Sequence, residues 1–558
     1  MYKNKKIIAI IPARGGSKGI PRKNIRLLAG HPLISYVINT VQSSNFVDEF
    51  IVTTEDEEIE FISKKFGAKT IKRDGKLADD DITLDPVIYD AVKKWENKNK
   101  EKYDYIITIQ PTSPLLKSKT LDLAIKQIID ENKDNLISVV NDPHLTWGYD
   151  EINNSYYPLY KKRVNRQQLP KSFKETGAIF ISKSEFITEN SRLGTDISLF
   201  EVEFHESIDV DSYLDWWIAE KLLNKKRILI RADAYPEIGT GHIYRGLSLA
   251  SKLTDHEVMF LLNENSSLGI EIVENFNYPY ITHSKENLME KIEEYDPNII
   301  INDILNTKKE YIQKLKENSY FVVNFEDIGN GSKYADLVFD ALYEHQIPQE
   351  SLYSGYKYYI LRDEFFYHPL KEIKHKIKNI LITFGGTDPN DLTRKVLNSL
   401  LESSYDGKIT VILGLGYKDK EGIIDDYLLN ENIEIFENVK NISEYMYESD
   451  LIFTSAGRTM YEVASLGIPC VCLCQNEREV SHLFGNVENG FINMGLGKEV
   501  SANKITDLLE ELLEDYDLRF EMNKRMTSID LTNGFNNIMN IIKKTYKEKR
   551  NIKREMNK

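Results

Sequence analysis

Short apolar runs alternate with stretches in which apolar positions recur every three or four residues, and the pattern repeats along almost the whole chain. Runs such as Ile7-Ile8-Ala9-Ile10-Ile11 predict strands at 7–11, 50–54, 105–110, 136–140 and 178–182. Between them the 3.6-residue spacing predicts helices at 33–43, 59–66, 85–97 and 120–131. Continuous apolar strands separated by amphipathic helices imply an α/β fold whose mostly parallel sheet is covered on both faces. The charged stretch 222–227 marks a boundary, because a second strand–loop–helix start follows at once in Arg227-Ile228-Leu229-Ile230-Arg231-Ala232-Asp233 and Gly239-Thr240-Gly241-His242. Further strands are expected at 299–302 and 321–324. After the charged segment 371–378 a third series follows at 380–384, 408–413, 451–455 and 469–473. The expected domains are 1–224, 225–375 and 376–545, with a basic tail at 546–558 that continues as a fraying helix. The second and third domains read as two similar α/β halves facing a cleft.

Ligands in such sheets bind beyond the carboxyl ends of the strands. The loop Ala13-Arg14-Gly15-Gly16-Ser17-Lys18-Gly19 follows the first strand and is followed by Pro21-Arg22-Lys23-Asn24. Its glycines let the backbone come close to a ligand, and its amides with Arg14 and Lys18 form a nest suited to a polyphosphate. It lacks the Walker spacing, and the plainer alternative is an ordinary turn with two solvated cations. Thr54-Glu55-Asp56 and Gln110-Pro111-Thr112-Ser113-Pro114 also follow strands and are expected to line the same crevice. Asp209 and Asp211 lie two residues apart, so on a strand their carboxylates would share a side and suit a hard cation such as Mg²⁺. The alternative there is a solvated acidic edge. In the second domain the turn through Gly241 opens a helix whose amides favour an anion, and His242 is either a general base or a structural histidine.

Composition narrows the classes. The chain has 558 residues, of which 41% are hydrophobic and 28% charged, as in ordinary globular proteins. A formal net charge of −15 argues against nucleic acid as a partner. The three cysteines, Cys470, Cys472 and Cys474, alternate along one apolar run and read as reduced core residues, consistent with a cytoplasmic protein. No membrane span and no signal peptide are expected, since no apolar stretch nears the roughly 20 residues a span needs.

The first loop, with Arg73-Asp74-Gly75-Lys76-Leu77-Ala78, Gln110-Pro111-Thr112-Ser113-Pro114-Leu115, Arg166-Gln167, Thr176-Gly177-Ala178-Ile179 and Ile208-Asp209-Val210-Asp211, resembles the acylneuraminate cytidylyltransferases in order and spacing over residues 5–222. That resemblance implies a Rossmann-like, GT-A-like nucleotidyltransferase that joins CTP to a nine-carbon α-keto acid sugar and releases diphosphate. It implies that Arg14, Gly15, Gly16, Ser17, Lys18, Asn24 and Arg73 hold the nucleotide, with Arg14, Lys18 and Asp211 at the reaction. Gln110 and Arg166 would face the sugar, and Asp209 and Asp211 would hold Mg²⁺. Asn141-Asp142-Pro143-His144 lacks a lysine that some sialic acid enzymes carry, which points away from plain N-acetylneuraminate. The Tyr- and Arg-rich stretch 147–170 corresponds to the arm through which the family forms homodimers; by composition alone it is an irregular insertion.

Residues 227–500 resemble the nucleotide-sugar hydrolase of pseudaminic acid synthesis, a GT-B relative of the glycosyltransferase that makes lipid II. The matching pieces are Arg231-Ala232-Asp233, Ile238-Gly239-Thr240-Gly241-His242-Ile243-Tyr244-Arg245, Phe384-Gly385-Gly386-Thr387-Asp388, Ser455-Ala456-Gly457 with Glu462, and Asn476-Glu477. Here the resemblance implies a UDP-sugar substrate, His242 as base for water, Gly241 and Asn476 at the sugar, and Gly385, Gly386, Ser455, Ala456 and Gly457 on the diphosphate. Glu462 would take the uridine ribose. Asn302-Asp303-Ile304-Leu305 keeps the family's aspartate but lacks an aromatic two residues later. The whole chain thus reads as a nucleotidyltransferase domain followed by a GT-B-like pair of Rossmann-like domains, a bifunctional enzyme of nonulosonic acid synthesis. Two alternatives for the second part remain, a UDP- or CMP-sugar glycosyltransferase and a non-catalytic binding module.

Overall fold

In the strand Ile7–Pro12 the apolar alternation serves both faces of a sheet. Ile7, Ala9 and Ile11 pack with Ile34, Val37 and Ile38 of the helix Leu33–Gln42, while Ile8 and Ile10 pack on the other face with Ile88, Val92 and Trp95 of the helix Leu84–Asn99. All five strand residues are fully buried, and each isoleucine withdrawn from water contributes roughly 1.5–3 kcal/mol. The computed structural model describes the chain apart from residues 236–238, 344–349, 438 and 557–558, and apart from the side chains of 551–556. Ile238 of the second-domain motif and the end of the basic tail therefore lie outside the described residues.

Two units emerge, Met1–Lys225 and Lys226–Lys558. In the first, seven strands lie in the order Ile197–Glu201, Asn135–Asn141, Phe173–Lys183, Tyr105–Thr108, Ile7–Pro12, Glu49–Thr54 and Lys69–Lys72. Only Phe173–Lys183 runs antiparallel to its neighbours. The first strand pairs in parallel with both Glu49–Thr54 and Tyr105–Thr108, so the chain order reverses beside it and the loops after all three strands emerge on one edge. The sequence-expected insertion at 147–170 contains a two-stranded antiparallel hairpin, Trp147–Asp150 with Ser155–Pro158.

The second unit holds two all-parallel sheets. The first orders its strands Tyr280–His283, Glu257–Asn263, Arg227–Ala232, Ile299–Asp303, Phe321–Phe325, Leu337–Asp340 and Leu352–Ser354. The other runs Ile433–Glu437, Lys408–Leu413, Asn379–Thr383, Leu451–Thr454, Cys470–Cys474 and Phe491–Leu496. Each has a switch point, between Arg227–Ala232 and Ile299–Asp303 and between Asn379–Thr383 and Leu451–Thr454. The three cysteines are free and buried, as their alternation implied. The last helix, Gly534–Met556, returns to the first of these sheets: Ile538, Met539 and Ile542 enter its core, Tyr546 packs on Phe321 and Lys549 pairs with Asp336. The segment set apart as a basic tail begins inside this helix. No helix among the described residues is long and apolar enough to cross a membrane.

Candidate functional sites

The glycine loop leaves the sheet at its switch point and is fixed from three directions. Gly15 donates its amide to Glu55 Oε1 at 2.6 Å, Asn24 Nδ2 donates to the Arg14 carbonyl at 2.9 Å, and Lys23 Nζ lies 2.8 Å from Asp211 Oδ1. Gly19 sits so close to the segment holding Asp211 that a Cβ there would come within 2.5 Å of the Asp211 carbonyl oxygen. Loop and aspartates therefore share one edge of the sheet. Arg14 and Lys18 converge on one exposed carboxylate, Asp80, at 2.7 and 2.6 Å, and the Lys18 hydrogen bond holds that carboxyl below its ordinary range. Arg73 is buried, donating to the Thr53 carbonyl at 2.9 Å while its Nε has no partner, and burial lowers its pKa.

Asp209 and Asp211 are not on a strand, contrary to the expectation. The segment turns at buried Val210, with the Asp211 amide 3.1 Å from the Asp209 carbonyl, just before the helix Tyr213–Asn224 and its Ser212–Asp215 capping box. The turn separates their surroundings. Asp211 is exposed on Lys23, whereas Asp209 points inward toward Thr112 and Gln110, with Oδ1 buried and unpartnered. Burial raises the Asp209 pKa, and the Asp211 charge adds to the rise. An orphaned buried carboxylate oxygen beside a second carboxylate is a donor set that fits a hard divalent cation. Among the described residues no group of three or more His, Cys, Asp or Glu side chains is arranged to hold a metal, so phosphate or water oxygens would have to complete the shell. Gln110 joins this cluster through Gly177, where φ is +69° and a Cβ would meet Gln110 Nε2 at 2.9 Å. Arg166 stands apart: it is exposed and reaches Asp142 at 2.9 Å, with no described contact to Gln110 or Asp209.

In the second unit a cleft of about 710 Å³ is lined from both sheets. Gly241, His242, Gly385, Gly386, Ser455, Gly457, Glu462 and Asn476 all line it. Ala456 does not; its side chain is fully buried and it contributes only backbone. Glycine is required where the halves touch, because a Cβ on Gly386 would lie 2.8 Å from Thr240 Oγ1 and one on Gly241 3.0 Å from Arg458 Cδ.

Across the first switch point His242 Nδ1 lies 2.7 Å from Asp303 Oδ1. Asp303 is fully buried, and Arg245 grips both its oxygens while also pairing with Glu326. Burial would raise the Asp303 pKa, but the Arg245 guanidinium outweighs it and, with His242, holds the carboxyl far below the usual range. A carboxylate can only accept, so His242 Nδ1 carries a hydrogen, and in the neutral ring the lone pair is on Nε2. Across the other switch point, the turn 455–457 and Gly385–Gly386 meet beside Arg458. Glu462 accepts from Arg362 Nε at 2.8 Å, and Asn476 spends its side-chain oxygen capping a short helix through the Glu479 amide at 3.0 Å.

Comparison with known proteins decides the family. The cytidylyltransferase profile matches residues 8–211, and the C-terminal domain of glycosyltransferase family 28 matches residues 379–542. The pseudaminic acid cytidylyltransferase of Campylobacter jejuni is 32% identical over 223 residues, which is 39% of this chain and 96% of that protein. The chain belongs to the cytidylyltransferase family. This chain is also 36% identical over 273 residues to the uncharacterized protein MJ1062 of Methanocaldococcus jannaschii, covering 45% of this chain and 56% of that protein. It is 34% identical over 224 residues to N-acylneuraminate cytidylyltransferase A of Danio rerio, 39% of this chain and 51% of that protein. The chain thus spans about half the length of these last two relatives.

The geometry adds residues to both candidate sites that the sequence motifs did not assign. Gly19 and Lys23 dock the loop on the aspartate segment, and Asp80 bridges the two loop cations. In the second unit Asp303, Arg245 and Glu326 form the charge network behind His242. The available signal was a charged residue closing an apolar run, Ile299 to Asp303, which requires a buried partner.

Proposed function

We propose that the first unit forms a CMP-sugar from CTP and a nine-carbon α-keto acid of the nonulosonic class. The observation that carries this reading is the docking of the cationic loop on the Asp209–Asp211 turn, which puts phosphate-seeking and cation-seeking groups on one sheet edge. Arg14 and Lys18 exchange Asp80 for the triphosphate, and the amides of Gly15 and Gly16 with Ser17 cradle it. Gln110 orients the sugar so that its anomeric hydroxyl attacks the α-phosphorus in line, forming the new P–O bond as diphosphate leaves. Asp209 and Asp211 would hold Mg²⁺, which neutralises charge on the phosphate oxygens when bound. Arg166 reaches the sugar carboxylate only by leaving Asp142, or in a partner's site. The second possibility agrees with a homodimer built on the hairpin, which exposes Trp147, Tyr149, Tyr156 and Tyr157. Light scattering tests it: deleting 147–158 is expected to give a monomer, and an unchanged mass would reject this interface. Mass spectrometry of products made from CTP, Mg²⁺ and a panel of nine-carbon acids tests the reaction, and absence of any CMP-sugar would overturn it.

For the second unit the reading is hydrolysis of a UDP-diacetamido-trideoxyhexose. Support comes from the fixed tautomer of His242, whose Nε2 can take a proton from water attacking the anomeric carbon. The C–O bond to UDP breaks as the new C–O bond forms, and the UDP anion remains on the 455–457 turn and Gly385–Gly386. Ribose binding by Glu462 would use the oxygen that Arg362 leaves free. The family 28 match favours a second reading, sugar transfer to an acceptor. Incubation of a UDP-sugar without acceptor separates them, because UDP release supports hydrolysis and release only on adding an acceptor supports transfer.

A further inference from the structure

The turn 455–457, read above as part of a diphosphate cradle, already holds a carboxyl group that belongs to the chain. Glu479 lies on the short helix Glu477–Val480 and lines the cleft. Its Oε2 accepts the Gln475 amide at 2.7 Å, and the Ala456 amide within the turn 455–457 faces its carboxyl and favours the ionised form. A Cβ on Gly457 would stand 3.9 Å from its Oε1. The groups that face it are like-charged or neutral: Asp388 from the loop after Asn379–Thr383, and the thiols of Cys472 and Cys474 from the strand behind. The cations and imidazole that line the same cleft are directed elsewhere. Arg458 faces Glu326 at 3.8 Å with its Nη1 making no hydrogen bond, Arg478 donates to Tyr343, and His482 turns Nδ1 to the Ala456 carbonyl. Among the described residues no salt bridge compensates Glu479.

A carboxylate and a diphosphate cannot share these amides without strong repulsion, since both are anions within a few ångströms. Protonated, the same carboxyl becomes a donor that a phosphate oxygen can accept. We propose that Glu479 is a proton-linked ligand of the nucleotide diphosphate, taking up one proton from solvent as the diphosphate enters and donating that hydrogen to a phosphate oxygen. The inference rests on reading the cleft as a UDP-sugar site. Burial pushes the free carboxyl up to about 7, with Asp388 adding to the rise, so it is poised to exchange a proton at neutral pH. The sign follows: above about pH 7 the free protein carries an ionised Glu479 while the complex carries a protonated one, so affinity falls by about tenfold per pH unit.

Isothermal titration of the full chain with UDP-N-acetylglucosamine tests this, because the diphosphate of a UDP-sugar is doubly esterified and has no ionisation of its own near neutrality. Between about pH 6.5 and pH 8.5 the wild type is expected to lose affinity with rising pH, and above about pH 7 its binding enthalpy should vary between buffers of different ionisation enthalpy by close to one proton taken up. Glu479→Gln should bind with no pH slope in that range. Binding by the wild type with a buffer-independent enthalpy at about pH 8, or a slope retained by E479Q, would overturn the proposal. The buffer comparison needs no variant, so it stands even if E479Q fails to fold. No binding by the wild type would instead remove the nucleotide reading of the cleft itself.

Discussion

Replacing Asp303 by asparagine changes one buried charge and leaves the shape of the site intact. Asp303 is fully buried, accepts from His242 Nδ1 at 2.7 Å and is gripped on both oxygens by Arg245, which is only 3% exposed. The first consequence is on stability. Arg245 keeps Glu326 as a counter-ion, so the loss falls at the lower end of what a broken buried pair costs, about 3 kcal/mol. The second is on the proton. An asparagine amide can offer its NH₂ to Nδ1, which moves the imidazole hydrogen to Nε2 and removes the lone pair that would receive a proton from water. Loss of an oriented base lowers turnover by about 10²–10⁴-fold. The assay is steady-state UDP release from the UDP-hexose without acceptor, with kcat and KM separated. The expected result is a collapse of kcat with little change in KM, and CMP-sugar formation close to wild type. A folded Asp303→Asn protein that releases UDP at the wild-type rate would show that the His242–Asp303 pair is structural.

Gly19→Ala forces a methyl group against the Asp211 carbonyl, 2.5 Å away, at a cost of about 1–3 kcal/mol; CMP-sugar formation is expected to fall sharply while UDP release is unchanged, as a parallel assay of both activities would show. Arg14→Ala combined with Lys18→Ala should raise KM for CTP by about tenfold or more, because two charge-assisted contacts to phosphate are lost, and initial rates against CTP concentration measure it. The Asp303 carboxyl is depressed in the folded state, so its stabilisation is complete above the unfolded value near pH 4 and is lost as pH falls toward the folded one. Acid unfolding monitored by circular dichroism should therefore show a shallower acid limb in Asp303→Asn than in wild type.

Local pattern carried most of the fold. Strands expected at 7–11, 50–54 and 408–413 appear as Ile7–Pro12, Glu49–Thr54 and Lys408–Leu413, because buried parallel strands are continuous apolar runs. The strand Lys69–Lys72 was not legible: Lys-Thr-Ile-Lys at a sheet edge buries too little to show a period. The hairpin from Trp147 was missed for a similar reason, since its aromatics face solvent and not a core. Glycine turns after strands were visible in the sequence because backbone conformation is a local requirement. Charge networks were not, as His242 and Asp303 lie 61 positions apart and meet only because two parallel strands flank a switch point. The misreading of Asp209 and Asp211 has the same origin: two residues' spacing implies a shared face only on a strand, and Val210 is held instead in a turn by its own burial.

A CTP site made by the cationic loop and the two aspartates carries the proposed chemistry of the first unit. CMP-sugar formation by wild type, Asp211→Ala and His242→Ala, each with CTP, Mg²⁺ and the same nine-carbon acid, tests it most directly. The prediction is product from wild type and His242→Ala at similar rates and none from Asp211→Ala. Undiminished product from a folded Asp211→Ala protein would contradict it.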